Sequence, residues 1–204
     1  MSNARILDAL LTRRSLSPAI LGEPGPSDAD IETMVAAALR APDHGRLRPW
    51  HYAVIRGEGR NRLGDLFVEA LLRREPAAPE ALIERERGRP LRSPVVIACG
   101  ARIRTGHTIP EIEQILAAGA GAMNILNAAH ALGHGAMWVT GANSYDPVVA
   151  AALGFPAPDR LVGFVYVGTP TQAAAQPTRP AAVDHMTVWT GPAADDGPAR
   201  AAVG

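Results

Sequence analysis

Arg13, Arg14 and Ser15 stand side by side near the start of the 204-residue chain. Two guanidinium forks and a hydroxyl within one turn suit the oxygens of a phosphate monoester. Each charge-assisted hydrogen bond contributes roughly 1.5–3 kcal/mol, so two or three would hold a phosphate. A plainer role also fits these residues, as solvated cations at a helix C-terminus favoured by its dipole. Arg40 and His44 form a second candidate pair, in the stretch Arg40-Ala41-Pro42-Asp43-His44 that leads to Pro49-Trp50-His51. Either they reach a ligand from a loop stiffened by its prolines, or they mark an ordinary helix exit.

Other reactive side chains carry less. His130 and His134 lie at i, i+4, a spacing that can present two imidazoles to a metal. No Asp, Glu or Cys accompanies them at ligand spacing and Gly133 interrupts the helix between them, so no metal site is expected. Cys99, the single cysteine, falls in an apolar run with nothing nearby to lower its pKa, and reads as a buried inert thiol. Asn124 and Asn127 face either a ligand or a tightly packed helix interface. The chain contains neither G-x-G-x-x-G nor G-x-x-x-x-G-K-[ST], so a Rossmann or P-loop nucleotide site has no support.

The elements that would position these residues are legible from periodicity. Ser2 or Asn3 can cap a first helix carrying Ile6, Leu7, Leu10 and Leu11 on one face and running out near Arg13. Ser27 with Asp30 resembles a capping box opening a second helix, which Pro42 ends. Trp50 to Ile55 reads as a strand, Arg60 to Arg74 as a helix, Glu80 to Arg87 as a partial helix, and Val95 to Ala98 as a buried strand or helical turn. Thr108, Pro110 and Glu111 start a long helix to Leu132. Ala136 to Thr140 and Leu161 to Val167 read as strands flanking a short helix at Pro147 to Leu153. From about Thr169 the prolines and alanines suggest an extended arm, with one possible strand at Met186 to Trp189. The interleaving favours a single mixed α/β or α+β domain over residues 1–204.

Composition excludes several function classes. Twenty basic and twenty acidic residues cancel without a block of either sign, which argues against nucleic acid as a partner. The apolar stretch Ile115 to Leu132 contains Asn124, Asn127 and His130 and owes its hydropathy to alanine and glycine, so a buried helix is expected rather than a membrane span. Charges at Arg5 and Asp8 interrupt what would be a signal-peptide core, and a cytoplasmic location is expected.

Taken in order, helix-R-R-S, helix-R-A-P-D-H-x-R-x-x-P-W-H-Y, the A-A-G-A-G-A-M-N-I-L-N-A-A-H-A-L-G-H-G-A-M-W segment and L-V-G-F-V-Y-V-G-T-P resemble the bacterial NAD(P)H nitroreductase family over roughly Leu7 to Pro170. The resemblance implies an α+β three-layer sandwich, with a mostly antiparallel central sheet flanked by helices. It implies a homodimer enclosing two FMN molecules at its interface, and electron transfer from NADH or NADPH to a nitroaromatic or quinone by a ping-pong mechanism. By position, Arg13, Arg14, Ser15, Arg40, His44, Trp138, Val139, Thr140 and Arg179 match flavin contacts, Arg40 and His44 toward the partner's cofactor. Ala128, Ala129, His130, Ala131, Leu132 and Gly133 match a nicotinamide stretch, and no side chain is expected as a catalytic acid or base. Ser17 and Pro18 depart from the family's R-R-S-x-R. His134, Val139 and Thr140 replace commoner residues, which bears on cofactor affinity and acceptor choice. The same scaffold also serves flavin-dependent dehydrogenation or dehalogenation, or flavin binding without turnover.

Overall fold

Strands that alternate apolar side chains to both faces must be covered on both, and that requirement sets the architecture. The computed structural model describes residues 3–191, with side chains from Ile6 onward. In chain order the elements are α1 (Asn3–Thr12), β1 (Leu21–Gly22), α2 (Asp28–Ala38), β2 (Trp50–Arg56), α3 (Glu58–Arg74), α4 (Glu80–Gly88), β3 (Val95–Ala101), α5 (Glu111–Ala131), β4 (Gly135–Val139), α6 (Pro147–Ala152) and β5 (Arg160–Pro170). Ser2, one of the two expected caps of α1, lies outside the described residues.

Strand β5 is the hub. Residues Phe164 to Val167 pair with both β3 and β4, so those two strands occupy opposite edges of β5. Strand β2 pairs with the outer edge of β3, and β1 takes the end of β5 at Thr169 and Pro170. Every pairing is antiparallel. Phe164, Tyr166, Val96 and Ala98 pack with Leu63, Phe67 and Ala70 of α3 and with Val149 of α6. On the opposite face Val165, Val167, Val95, Ile97 and Cys99 pack with α2 and α5 through Met34, Ala38, Ala122, Ile125 and Ala129. The result is the expected α+β three-layer sandwich. All seven residues of β3 are buried, which explains why that strand reads as a continuous apolar run.

Local signals place most boundaries. The Ser27 hydroxyl accepts from the Asp30 N–H at 3.1 Å while the Asp30 carboxylate accepts from the Ser27 N–H at 3.0 Å, completing the capping box of α2. Helix α5 ends where Gly133 takes φ +87°, a conformation costly for other residues. Its small residues admit close neighbours: a Cβ on Gly121 would stand 2.2 Å from the Tyr52 hydroxyl. The expected strand at Met186 to Trp189 does not form. Beyond Pro170 the described chain holds one helical turn, Ala182–His185. Val188 and Trp189 are 77% and 79% exposed, and without a neighbouring strand their apolar alternation has no ladder to join.

One irregularity in the sheet shapes the region considered next. Cys99 pairs with Gly163 and Gly100 with Leu161, so Val162 is an extra residue, a β-bulge. Its carbonyl accepts the indole N–H of Trp138 at 3.1 Å. Gly163 adopts φ +142°, and a Cβ there would meet the Trp138 Nε1 at 2.3 Å. Gly163→Ala is therefore expected to lower stability by about 2 kcal/mol or more through backbone strain and the displaced indole. Urea denaturation followed by tryptophan fluorescence reads both effects.

Candidate functional site along strand β4

Among the described residues β4 pairs within the sheet only with β5, so one of its edges is left to other parts of the chain. The Leu16 N–H donates to the Ala136 carbonyl at 3.0 Å on that edge, which fixes Arg13, Arg14 and Ser15 beside the start of β4. Trp138, Val139 and Thr140 lie toward its other end, about 7 to 14 Å from Ala136 at the usual strand rise. Four of the residues singled out in the sequence meet at the first end. Arg179 donates from Nη2 to the Arg13 carbonyl at 2.9 Å. Partial burial and the nearby Arg179 charge hold the Arg13 pKa below its ordinary value. Two cations brought together favour an anion between them. The Arg13 Nη1 and Arg14 Nε are buried with no hydrogen-bond partner among the described residues. A buried donor without a partner costs about 1–3 kcal/mol, more when charged, which an oxyanion would offset.

The arginine pair is split. Arg179 reaches the Arg13 main chain and its charge acts on the Arg13 guanidinium, whereas Arg14 lines a cavity at the C-terminal end of α5 with His130 and His134. Helix geometry likewise divides the stretch Ala128 to Gly133. Ala129 is fully buried in the core, Ala128 and Ala131 line a groove between α1 and α2, and His130 and Gly133 line the Arg14 cavity. Leu132 is 39% exposed. Six consecutive residues on a helix and its exit do not share one surface.

The far end of β4 carries a charged network that no sequence motif announced. Val139, Thr140 and Gly141 line a cavity of about 240 Å³ with Arg74, Arg85 and Arg89, walled by Phe164 and Tyr166. Arg74 donates to Asp146 at 2.7 Å and to the Asn143 amide oxygen at 3.0 Å. The Asn143 amide nitrogen donates to Glu86 at 2.9 Å, and Arg89 donates to the same carboxylate at 2.7 Å. The loop that follows β4 is thereby tied to α3 and α4. Burial alone would raise the Asp146 pKa, but the N–H groups of Val149 and Val148, with Arg74 and Arg73, hold it below the ordinary value. The only readable signal was Asp146 before Pro147, a helix cap, since the partners come from 57 to 72 residues away. On the opposite face of the sheet, Trp138 lines a largely apolar cleft of about 640 Å³ with Ile115, Leu116, Tyr145 and Phe155.

Arg40 and His44 are not brought to this strand. Arg40 lines the groove formed by Ile6, Leu10, Asn124 and Asn127, and His44 bonds Glu113 at 2.7 Å near the N-terminus of α5. From Glu113 to His130 the helix extends about 25 Å. Among the described residues no group of three or more His, Cys, Asp or Glu is placed to hold a metal, and no helix is long and apolar enough to cross a membrane.

Comparison with known proteins matches the model of the nitroreductase family over residues 10–169. The chain belongs to the nitroreductase family. It is 37% identical over 164 residues to the Escherichia coli K12 protein named "Putative NAD(P)H nitroreductase YdjA", covering 80% of this chain and 87% of that protein. Its fold is similar to that of a nitroreductase-like family protein from Bacillus cereus, with TM-score 0.78 and 22% identity over 94% of this chain and 99% of the other. A Bacteroides fragilis nitroreductase with bound FMN also shares the fold, with TM-score 0.68 and 17% identity over 93% of this chain and all of the other. In this nitroreductase-family member the Asp146 contacts stabilise the fold only while the carboxylate is ionised. Its folded pKa is depressed, so that stability is full above the unfolded value near pH 4 and is lost as pH falls through the folded one. Asp146→Asn is expected to be less stable than the native chain at pH 7, with the difference closing below about pH 4 in acid unfolding curves.

Proposed function

We propose that the chain is an FMN-dependent oxidoreductase that passes electrons from NADH or NADPH to a small acceptor of the nitroaromatic or quinone type. The observation that carries this reading is the orphaned Arg13 Nη1, with the Arg179 charge close by, at one end of an open strand edge in a chain of the nitroreductase family. These groups fit a phosphate monoester in charge and in hydrogen-bonding number. In this assignment Arg13, Ser15 and Arg179 hold the phosphate, with Arg14 adding positive charge from the adjoining cavity. Trp138, Val139 and Thr140 then border the ring system, and Arg85 and Arg89 stand across the neighbouring cavity, where they favour negative charge.

Bound there, FMN would supply the two-electron redox chemistry between the nicotinamide and the acceptor. The protein's own residues bind, orient and exclude water. Trp138 is held by Val162, and the Arg74–Asn143–Glu86 network keeps the loop after Thr140 in place. No side-chain acid or base is assigned. Arg40 and His44, remote from β4 in their own chain, are assigned to a second copy's flavin. Exposed Leu7, Leu11, Leu116 and Met123 on α1 and α5 supply apolar surface for such a homodimer. Of the Ala128–Gly133 stretch, His130 and Gly133, which line the Arg14 cavity, are assigned to the donor.

Protein incubated with FMN and desalted is expected to be yellow, and to bleach within seconds of anaerobic NADPH addition. With a nitroaromatic acceptor, double-reciprocal plots are expected to be parallel. Protein that stays colourless contradicts the cofactor assignment, and flavin that is bound but never bleached favours a binding protein without turnover. Arg13→Ala is expected to weaken FMN binding by about tenfold or more while riboflavin binding stays within about twofold, since one phosphate hydrogen bond is lost. Flavin fluorescence quenching measures both.

A further inference from the structure

The cavity beside Arg14 has a composition that a single flavin phosphate does not account for. It measures about 230 Å³ and is lined by Arg14, His130, His134, Gly133, Gly135 and apolar side chains that include Leu126 and Pro170. The Arg14 Nε is buried there without a partner among the described residues. Each imidazole is anchored by one nitrogen. Thr12 donates its hydroxyl proton to the Asp8 carbonyl at 2.7 Å, so its oxygen accepts from the His130 Nε2 at 3.2 Å. His134 donates from Nε2 to the Asp30 carboxylate at 3.3 Å. Both rings therefore carry the proton on Nε2 and keep Nδ1 free of protein partners among the described residues. Such a nitrogen accepts from a P–OH group.

The end of α5 would oppose an anion if its carbonyls pointed at it. They are occupied. Leu132 N–H donates to Ala128 at 2.9 Å, Gly133 N–H to His130 at 3.0 Å and His134 N–H to Ala129 at 2.8 Å. The remaining acid is Asp30, and its carboxylate already accepts from the Ser27 amide at 3.0 Å and hydroxyl at 2.7 Å.

Resting on the oxidoreductase reading above, we propose that Arg14, His130 and His134 form a second phosphomonoester site, which takes the 2′-phosphate of NADPH and makes NADPH the preferred electron donor. The flavin phosphate is bound separately, at Arg13 and Arg179. His130 belongs to the stretch assigned to the donor, and the cavity opens beside it. A cavity of this size accommodates a phosphoryl group with part of its ribose.

The test uses the FMN-loaded protein. The native protein is expected to show kcat/KM for NADPH at least about tenfold above that for NADH, the worth of one charge-assisted contact. His134→Leu is expected to bring the ratio close to one by lowering the NADPH value, with NADH turnover unchanged. FMN and riboflavin affinities are expected to be the same in this variant as in the native protein. A loss of FMN affinity without loss of riboflavin affinity would assign the cavity to the flavin phosphate and overturn the proposal. Should the variant fail to fold, inhibition of the native holoenzyme decides: 2′,5′-ADP is expected to compete with NADPH at least about tenfold more tightly than 5′-AMP. Equal inhibition, or equal use of NADH and NADPH, refutes the 2′-phosphate site while leaving the oxidoreductase reading intact. Bound flavin that neither donor reduces refutes both.

Discussion

A sheet strand with one edge given to a neighbour and the other left to the chain's own loops creates both the site and its polarity. Strand β4 is held by β5 along Gly135–Val139, and on its other edge the Leu16 amide bonds the Ala136 carbonyl. That hydrogen bond, with Leu16 buried in the core and β1 paired to β5, fixes where the arginine pair lies. With it, the cations gather at the start of the strand, and Trp138 to Thr140 line the end. The site inherits the rigidity of the sheet, as precise binding geometry requires.

The two ends are stabilised in different ways. At the start, orphaned guanidinium N–H groups and neighbouring positive charges carry a cost that a bound oxyanion would offset. Arg74, Asn143, Glu86, Arg89 and Asp146 close the far end as a satisfied network, with most members paired at least twice. A satisfied buried network fixes geometry, and breaking it leaves uncompensated charge. Binding and positioning are thus assigned to opposite ends of one strand.

Much of this arrangement was legible in the amino-acid order, wherever the physics is local. Ser27 and Asp30 announced α2, the alanine-rich periodicity announced α5, and the apolar run at Val95 announced a buried element, strand or helical turn, which the structure forms as a strand reaching Ala101. The adjacency of Arg13, Arg14 and Ser15 was visible as chemistry, but its division was not. What surrounds each guanidinium depends on Arg179 and on the end of α5, more than a hundred residues downstream. The same holds for Glu86 and Asn143, 57 residues apart, whose polar side chains resemble any surface residue until the fold joins them. The bulge at Val162 was hidden because strand periodicity does not reveal an inserted residue. Met186 to Trp189 misled in the opposite sense, since β-type composition forms a strand only where a neighbour offers an edge.

Membership of the nitroreductase family and the geometry of β4 converge on one claim, that the strand is the rail along which a flavin nucleotide lies. Electron density for FMN in crystals of the complex tests it most directly. The account predicts the phosphorus beside Arg13 and Arg179 and the ring system against Trp138, Val139 and Thr140. A phosphate seated away from Arg13, or a ring system in the groove between α1 and α2, would contradict it.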